Sequence, residues 1–217
     1  MAISIVDHEI PSDSHNLYDV TIDSDQIHTL LTSSPAMVDS WISETLAIQT
    51  PPLIVGLDIE WRPNRNSSYE NPVATLQLCF DRRCLIFQLI HASEIPRSLT
   101  DFLTDESFTF VGVGIGEDVE KLLCDYGLNV SNTVDLRNLA ENAMGRGDLK
   151  NAGLKGLAKE VLGKEISKPK SVTMSRWDNE WLVPNQVKYA CVDAFLSSEI
   201  GRHLSNRRES GENVDDS

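Results

Sequence analysis

Four carboxylates and one phenol carry the chemistry this sequence can offer: Asp58 and Glu60 in Leu-Asp-Ile-Glu-Trp, Asp118 in Gly-Ile-Gly-Glu-Asp, and Tyr189 with Asp193 in Tyr-Ala-Cys-Val-Asp. Side chains alternate along a strand, so Asp58 and Glu60 point to one side, about 7 Å apart, with Ile59 turned away. Two acids so placed at the end of an apolar run repel each other and resist desolvation. Hard divalent cations with oxygen ligands remove both penalties, so the pair reads as half of a metal site. Tyr189 and Asp193 stand four residues apart and therefore share one helical face, a phenol one turn from a carboxylate.

The elements that must position these groups are legible in the flanking pattern. Leu53 to Leu57 reads Leu-Ile-Val-Gly-Leu, the continuous aliphatic run of a strand buried on both faces. Pro184 opens a stretch in which Val187, Ala190, Cys191, Ala194 and Phe195 recur at helical spacing. Asp118 follows a strand-like run ending in glycines and precedes Val119 to Leu123, which has helical periodicity. It therefore falls in the first turn of a helix at the carboxyl end of a strand, where open α/β sheets place their sites.

A coarser pass predicts a strand at 18–22 and helices near 25–31 and 36–48. Strands follow at 53–60, 73–80 and 83–89, the last two joined by Asp81-Arg82-Arg83. A helix near 96–104, a strand at 108–114, a helix at 117–126, a short strand at 133–136 and helices at 152–162 and 185–204 complete the chain. The class is α/β: a mixed five- or six-stranded sheet flanked by helices, of the ribonuclease H-like kind. Residues 1–50 read as an acidic N-terminal extension, 51–204 as the domain that holds the site, and 205–217 as a disordered acidic tail.

Asp-x-Glu on the first strand of the domain, an Asp opening a later helix and Tyr-x-x-x-Asp on a late helix resemble the three motifs of the 3′-to-5′ proofreading-exonuclease superfamily in its tyrosine-bearing branch. The likeness to Werner-type exonuclease domains and their free-standing plant relatives also rests on Ala74-Thr75-Leu76-Gln77-Leu78-Cys79, Gly112-Val113-Gly114-Ile115, Lys121-Leu122-Leu123 and Gly153-Leu154-Lys155-Gly156-Leu157. It spans roughly residues 50 to 204. The resemblance implies hydrolysis of DNA or RNA from the 3′ end with release of nucleoside monophosphates. It implies two Mg²⁺ or Mn²⁺ ions held by Asp58, Glu60, Asp118 and Asp193, with Tyr189 aiming the water. By their positions, Trp61 just after the acidic pair and Leu76 and Gln77 on the neighbouring strand either support the terminal nucleotide or pack in the core. Where such domains carry an aromatic residue beside the third acid, this chain has Glu117-Asp118-Val119-Glu120, so its hold on substrate should differ.

A net charge of −14 over 217 residues opposes a polyanionic substrate at long range. The charge is unevenly spread, however. Residues 1–50 contain eight acids and no Lys or Arg, whereas residues 146–176 contain eight bases against three acids. Lys155, Lys168, Lys170 and Arg176 in that stretch are the candidate phosphate contacts. A nuclease that grips only the last few nucleotides, with cations offsetting its own acids, needs little more basic surface than this.

Other readings weigh less. Gly112-Val113-Gly114-Ile115-Gly116 lacks the third glycine of a dinucleotide fingerprint, since position 117 is Glu. The four cysteines show no zinc spacing and read as buried reduced thiols, and the five histidines show no ligand cluster. No run approaches the roughly 18 apolar residues of a membrane span, and the N-terminus lacks a secretory pattern. A protein of the nucleus or cytosol is expected, not a secreted one. Its partners would be nucleic-acid 3′ ends, further copies of the chain, or repair or RNA-processing proteins. A non-catalytic binding module on the same fold is the alternative to an enzyme.

Overall fold

A computed structural model describes residues 2–10, 12–48, 53–64 and 70–212. Eight strands form one sheet in the order β1-β2-β3-β6-β5-β4-β7-β8. These are β1 (Ile3–Asp7), β2 (His15–Ile22), β3 (Asp25–Thr32), β4 (Ile54–Trp61), β5 (Val73–Phe80), β6 (Arg83–Phe87), β7 (Thr109–Gly112) and β8 (Thr133–Asp135). Helices α1 (Pro35–Ile48), α2 (Arg97–Thr104), α3 (Ile115–Tyr126), α4 (Leu136–Met144), α5 (Leu154–Leu162), α6 (Lys170–Thr173) and α7 (Pro184–Glu212) lie between and around them. The architecture is the expected mixed α/β sheet flanked by helices. None of the described helices is long and apolar enough to cross a membrane.

The sheet has eight strands, not five or six, because residues 3–32 supply three. The stretch at 25–31, expected as a helix, is strand β3, paired antiparallel with β2 and parallel with β6. Ile27, Thr29, Leu30 and Leu31 are buried there. Hydrogen-bonded neighbours on both sides and two β-branched residues outweigh a weak helical spacing. Helix α4 was not expected. It begins where Asp135 ends β8 and accepts the Arg137 backbone N–H at 2.9 Å as an N-cap. At the other end of the chain α7 continues past 204, through Glu212, and the rest of the tail lies outside the described residues.

Two cores sandwich the sheet. Val55, Leu57 and Ile59 of β4 point into the core shared with α1, α2 and α3. Ile54 points the other way, into the core built with α7, α4 and α5. Position 56 on that second face must be glycine. A Cβ built on Gly56 would stand 1.9 Å from the carbonyl oxygen of Ala194 in α7. Backbone-to-backbone contact here sets α7 directly on β4, and the alternation that carries Ile54 and Gly56 toward α7 carries Asp58 and Glu60 there too.

Candidate active site

Asp58, Glu60 and Asp193 converge where the end of β4 meets α7. Each offers a carboxylate oxygen, and the three oxygens lie within 4.8 Å of one another. Burial is deep: the side chains of Glu60 and Asp193 are only 12% and 11% exposed. Burial, and then the neighbouring acids Asp193, Glu60 and Asp118, push Asp58 well above the usual carboxylate range, with Lys168 offsetting part of the rise. Burial likewise lifts Glu60 to about 7 against the pull of Lys168. Asp193 is raised by the same balance of burial against Lys168. Three hard oxygen donors in one recess, each resisting ionisation without a cation, fit a divalent metal.

Asp118 lies in the first turn of α3, as its sequence setting predicted. It is not one of the three converging ligands, but it is electrostatically coupled to them. Burial raises it to about 7, with Glu117, Glu60 and Asp135 adding to the rise. Gly114, at φ 76°, turns the chain from β7 into this helix, and its N–H is held by the Asp135 carboxylate at 3.1 Å. Asp118 faces a recess of about 530 Å³ shared with Trp61, Glu70, Glu117, Glu120, Lys121, Cys124 and Asp125. Lys121 sits 5.4 Å from the centre of the Trp61 ring. The thiol of Cys124 is exposed, unlike those of Cys79, Cys84 and Cys191, and all four are free.

The Tyr189 hydroxyl, one turn before Asp193 on α7, donates to the Ser167 carbonyl at 2.9 Å. Gln77 is the register partner of Asp58 and so shares its face. It is fully buried, with its amide nitrogen on Thr75 Oγ1 at 2.6 Å and its oxygen unpartnered. Leu76 pairs with Ile59 and is fully buried in the core on the far side of the sheet. Its side chain stands apart from the carboxylates.

The basic stretch is largely spent on pairing. Arg146 binds Asp148 and Glu160, Lys150 binds Glu141, Lys159 binds Glu165, Lys164 binds Asp23 and Asp25, and Arg176 binds Asp178. Among the described residues Lys155 and Lys170 hold no ion pair. Lys168 is in the centre itself, its Nζ 2.5 Å from Glu60 Oε1 and 2.7 Å from Asp193 Oδ2. Burial opposes its charge, but Asp193, Glu60 and Asp58 together hold its pKa above the ordinary lysine value. Nothing in the spacing of the sequence announced that position, and neither Ser167 nor Gly56 was singled out there.

A family model described as 3′-5′ exonuclease matches residues 31–209. The chain belongs to that family. An Arabidopsis thaliana protein named 3′-5′ exonuclease is 39% identical over 154 residues, 70% of this chain and 52% of its own length. The mouse bifunctional 3′-5′ exonuclease/ATP-dependent helicase WRN is 33% identical over 77% of this chain but only 12% of its own length. The human exonuclease 3′-5′ domain-containing protein 2 is 35% identical over 75% of this chain and 27% of its own. This chain thus spans about half of the plant relative and smaller parts of the animal ones. The crystal structure of the EXD2 exonuclease domain superposes with a TM-score of 0.50 at 30% identity, covering 87% of this chain and 98% of that one.

Proposed function

We propose that this chain hydrolyses the terminal phosphodiester bond at the 3′ end of a DNA or RNA strand, releasing nucleoside monophosphates, with two Mg²⁺ or Mn²⁺ ions. The observation that carries the reading is the convergence of Asp58, Glu60 and Asp193 on one buried point. The family membership and the names of the relatives support it.

Asp58, Glu60 and Asp193 would hold the cations, with Asp118 contributing largely through water. When bound, such ions activate a water and stabilise the charge that develops on the leaving oxygen. Tyr189 turns its hydroxyl from Ser167 toward the attacking water and aligns it with the phosphorus. Trp61, on the wall beside Asp118, and Gln77, next to Asp58, support the last nucleotide. Leu76 acts from behind by fixing the strand. Lys155, Lys170 and Arg176 are assigned to phosphates farther along the strand, with Arg176 first giving up Asp178. Lys168 joins them once it has left the carboxylates.

A strand labelled at its 5′ end, incubated with Mg²⁺ or Mn²⁺, tests the proposal. A ladder shortening from the 3′ end is expected, with none from Asp58→Ala. Binding without shortening would make the chain a recognition module instead.

A further inference from the structure

Resting on the two-cation reading above, we infer that Lys168 is the resident counter-ion of the carboxylate centre: its ammonium occupies the cation position, must leave before a metal can enter, and frees Tyr189 as it goes. Distance argues for the first step. The ammonium nitrogen stands 2.5 and 2.7 Å from Glu60 and Asp193, two of the three acids that form the cation site. An ion bound at roughly 2.0 to 2.5 Å from the same oxygens would overlap it, so lysine and metal exclude each other.

Charge argues for the second. One positive charge faces three carboxyl groups, so the lysine only partly neutralises the centre, and a doubly charged ion can outcompete it. The ammonium nitrogen stands 5.8 Å from the centre of the buried Trp177 ring, and the side chain is 21% exposed. It is thus held in place but open to solvent on one side.

Connectivity links the lysine to the tyrosine. Lys168 belongs to the irregular stretch between α5 and α6, and its neighbour Ser167 accepts the hydrogen bond from Tyr189. Two adjacent residues therefore pin this segment to two sites one turn apart on α7, Ser167 at Tyr189 and Lys168 at Asp193. Withdrawing the lysine loosens the neighbouring carbonyl, and the phenol becomes available for the water it must orient. Metal arrival and tyrosine release become one event, which keeps the phenol occupied while the cation site is closed by lysine.

The test is Mn²⁺ binding without nucleic acid, followed by the electron paramagnetic resonance signal of free Mn²⁺, for wild type, K168M, K168Q and K168R. If the lysine fills the site in nine molecules out of ten, removing its charge tightens the apparent Kd about tenfold, while K168R keeps the weaker binding. Hydrogen exchange supplies a second readout: Mn²⁺ should speed exchange over residues 164–169 in the wild type. Melts in excess Mn²⁺ show that the variants are folded. Equal or weaker Mn²⁺ binding by both neutral variants, or unaltered exchange at 164–169, would overturn the inference and leave the nuclease reading standing. Absence of Mn²⁺ binding in every protein, wild type included, would remove both.

Discussion

Substituting alanine for Gly56 should separate the two halves of the site. The added methyl group would begin 1.9 Å from the Ala194 carbonyl oxygen and 2.8 Å from the Ser198 nitrogen, both backbone atoms that cannot swing aside. Relief to 3.0 Å requires α7 to retreat from β4 by about 1.1 Å, the difference between 1.9 and 3.0 Å. Overpacking of this kind costs about 1–3 kcal/mol. At about 2–4 °C per kcal/mol for a chain of this size, the melt should fall by roughly 2 to 12 °C. Asp193 lies one residue before Ala194, so the retreat moves it from Asp58 and Glu60. A misplacement of about 1 Å at a reacting centre lowers rates on the order of 100-fold. The measurements are thermal melts by circular dichroism and the rate of 3′-end shortening, with Gly153→Ala as control, since a methyl there meets nothing within 4 Å. A G56A protein with wild-type melt and rate would refute the claim that backbone contact at this glycine sets the distance between strand and helix.

Asp58→Ala and Asp193→Ala should each abolish shortening while retaining the circular dichroism spectrum of the wild type; full activity in either would remove that acid from the site. Tyr189→Phe should slow shortening by up to about 100-fold yet bind Mn²⁺ at least as tightly as the wild type does. A loss of Mn²⁺ affinity in that variant would reassign the phenol to metal binding. With chelator present, stability should fall with rising pH. Glu60 and Asp118, held near 7 chiefly by burial, bind protons in the folded state that the unfolded chain has released, so their share of the loss runs from about pH 4 to 7. Melts that improve over that window would mean these carboxyls are not desolvated as described. Chelation should stop the reaction and either Mg²⁺ or Mn²⁺ restore it, as measured on the same labelled strand.

Much of the site was legible because its chemistry rests on local geometry. Strand alternation alone put Asp58 and Glu60 on one side, the four-residue step put Tyr189 over Asp193, and the glycine-ended strand put Asp118 in the first turn of α3. Lys168 was read as a phosphate contact, since no spacing links an irregular loop to a strand end 108 residues earlier. Its place depends on how α5, α6 and α7 pack together. The N-terminal strands were hard to see for a related reason. Residues 25–31 carry no strict alternation, because β3 lies between β2 and β6 and is buried on both faces from Thr29 to Thr32, while Gln26 and His28 on one face stay exposed. Helix α4 was missed although Leu136, Leu139 and Ala140 recur at helical spacing between Asp135 and Gly145, because Asp135 and Leu136 also read as the end of a strand.

The seating of α7 on β4 has a bearing on how the protein is made. The strand bearing Asp58 and Glu60 leaves the ribosome long before the helix bearing Asp193, so a growing polypeptide holds an incomplete ligand set until that helix has been made. Until α7 closes over the sheet, the acidic cluster lacks Asp193 and cannot present its three oxygens together.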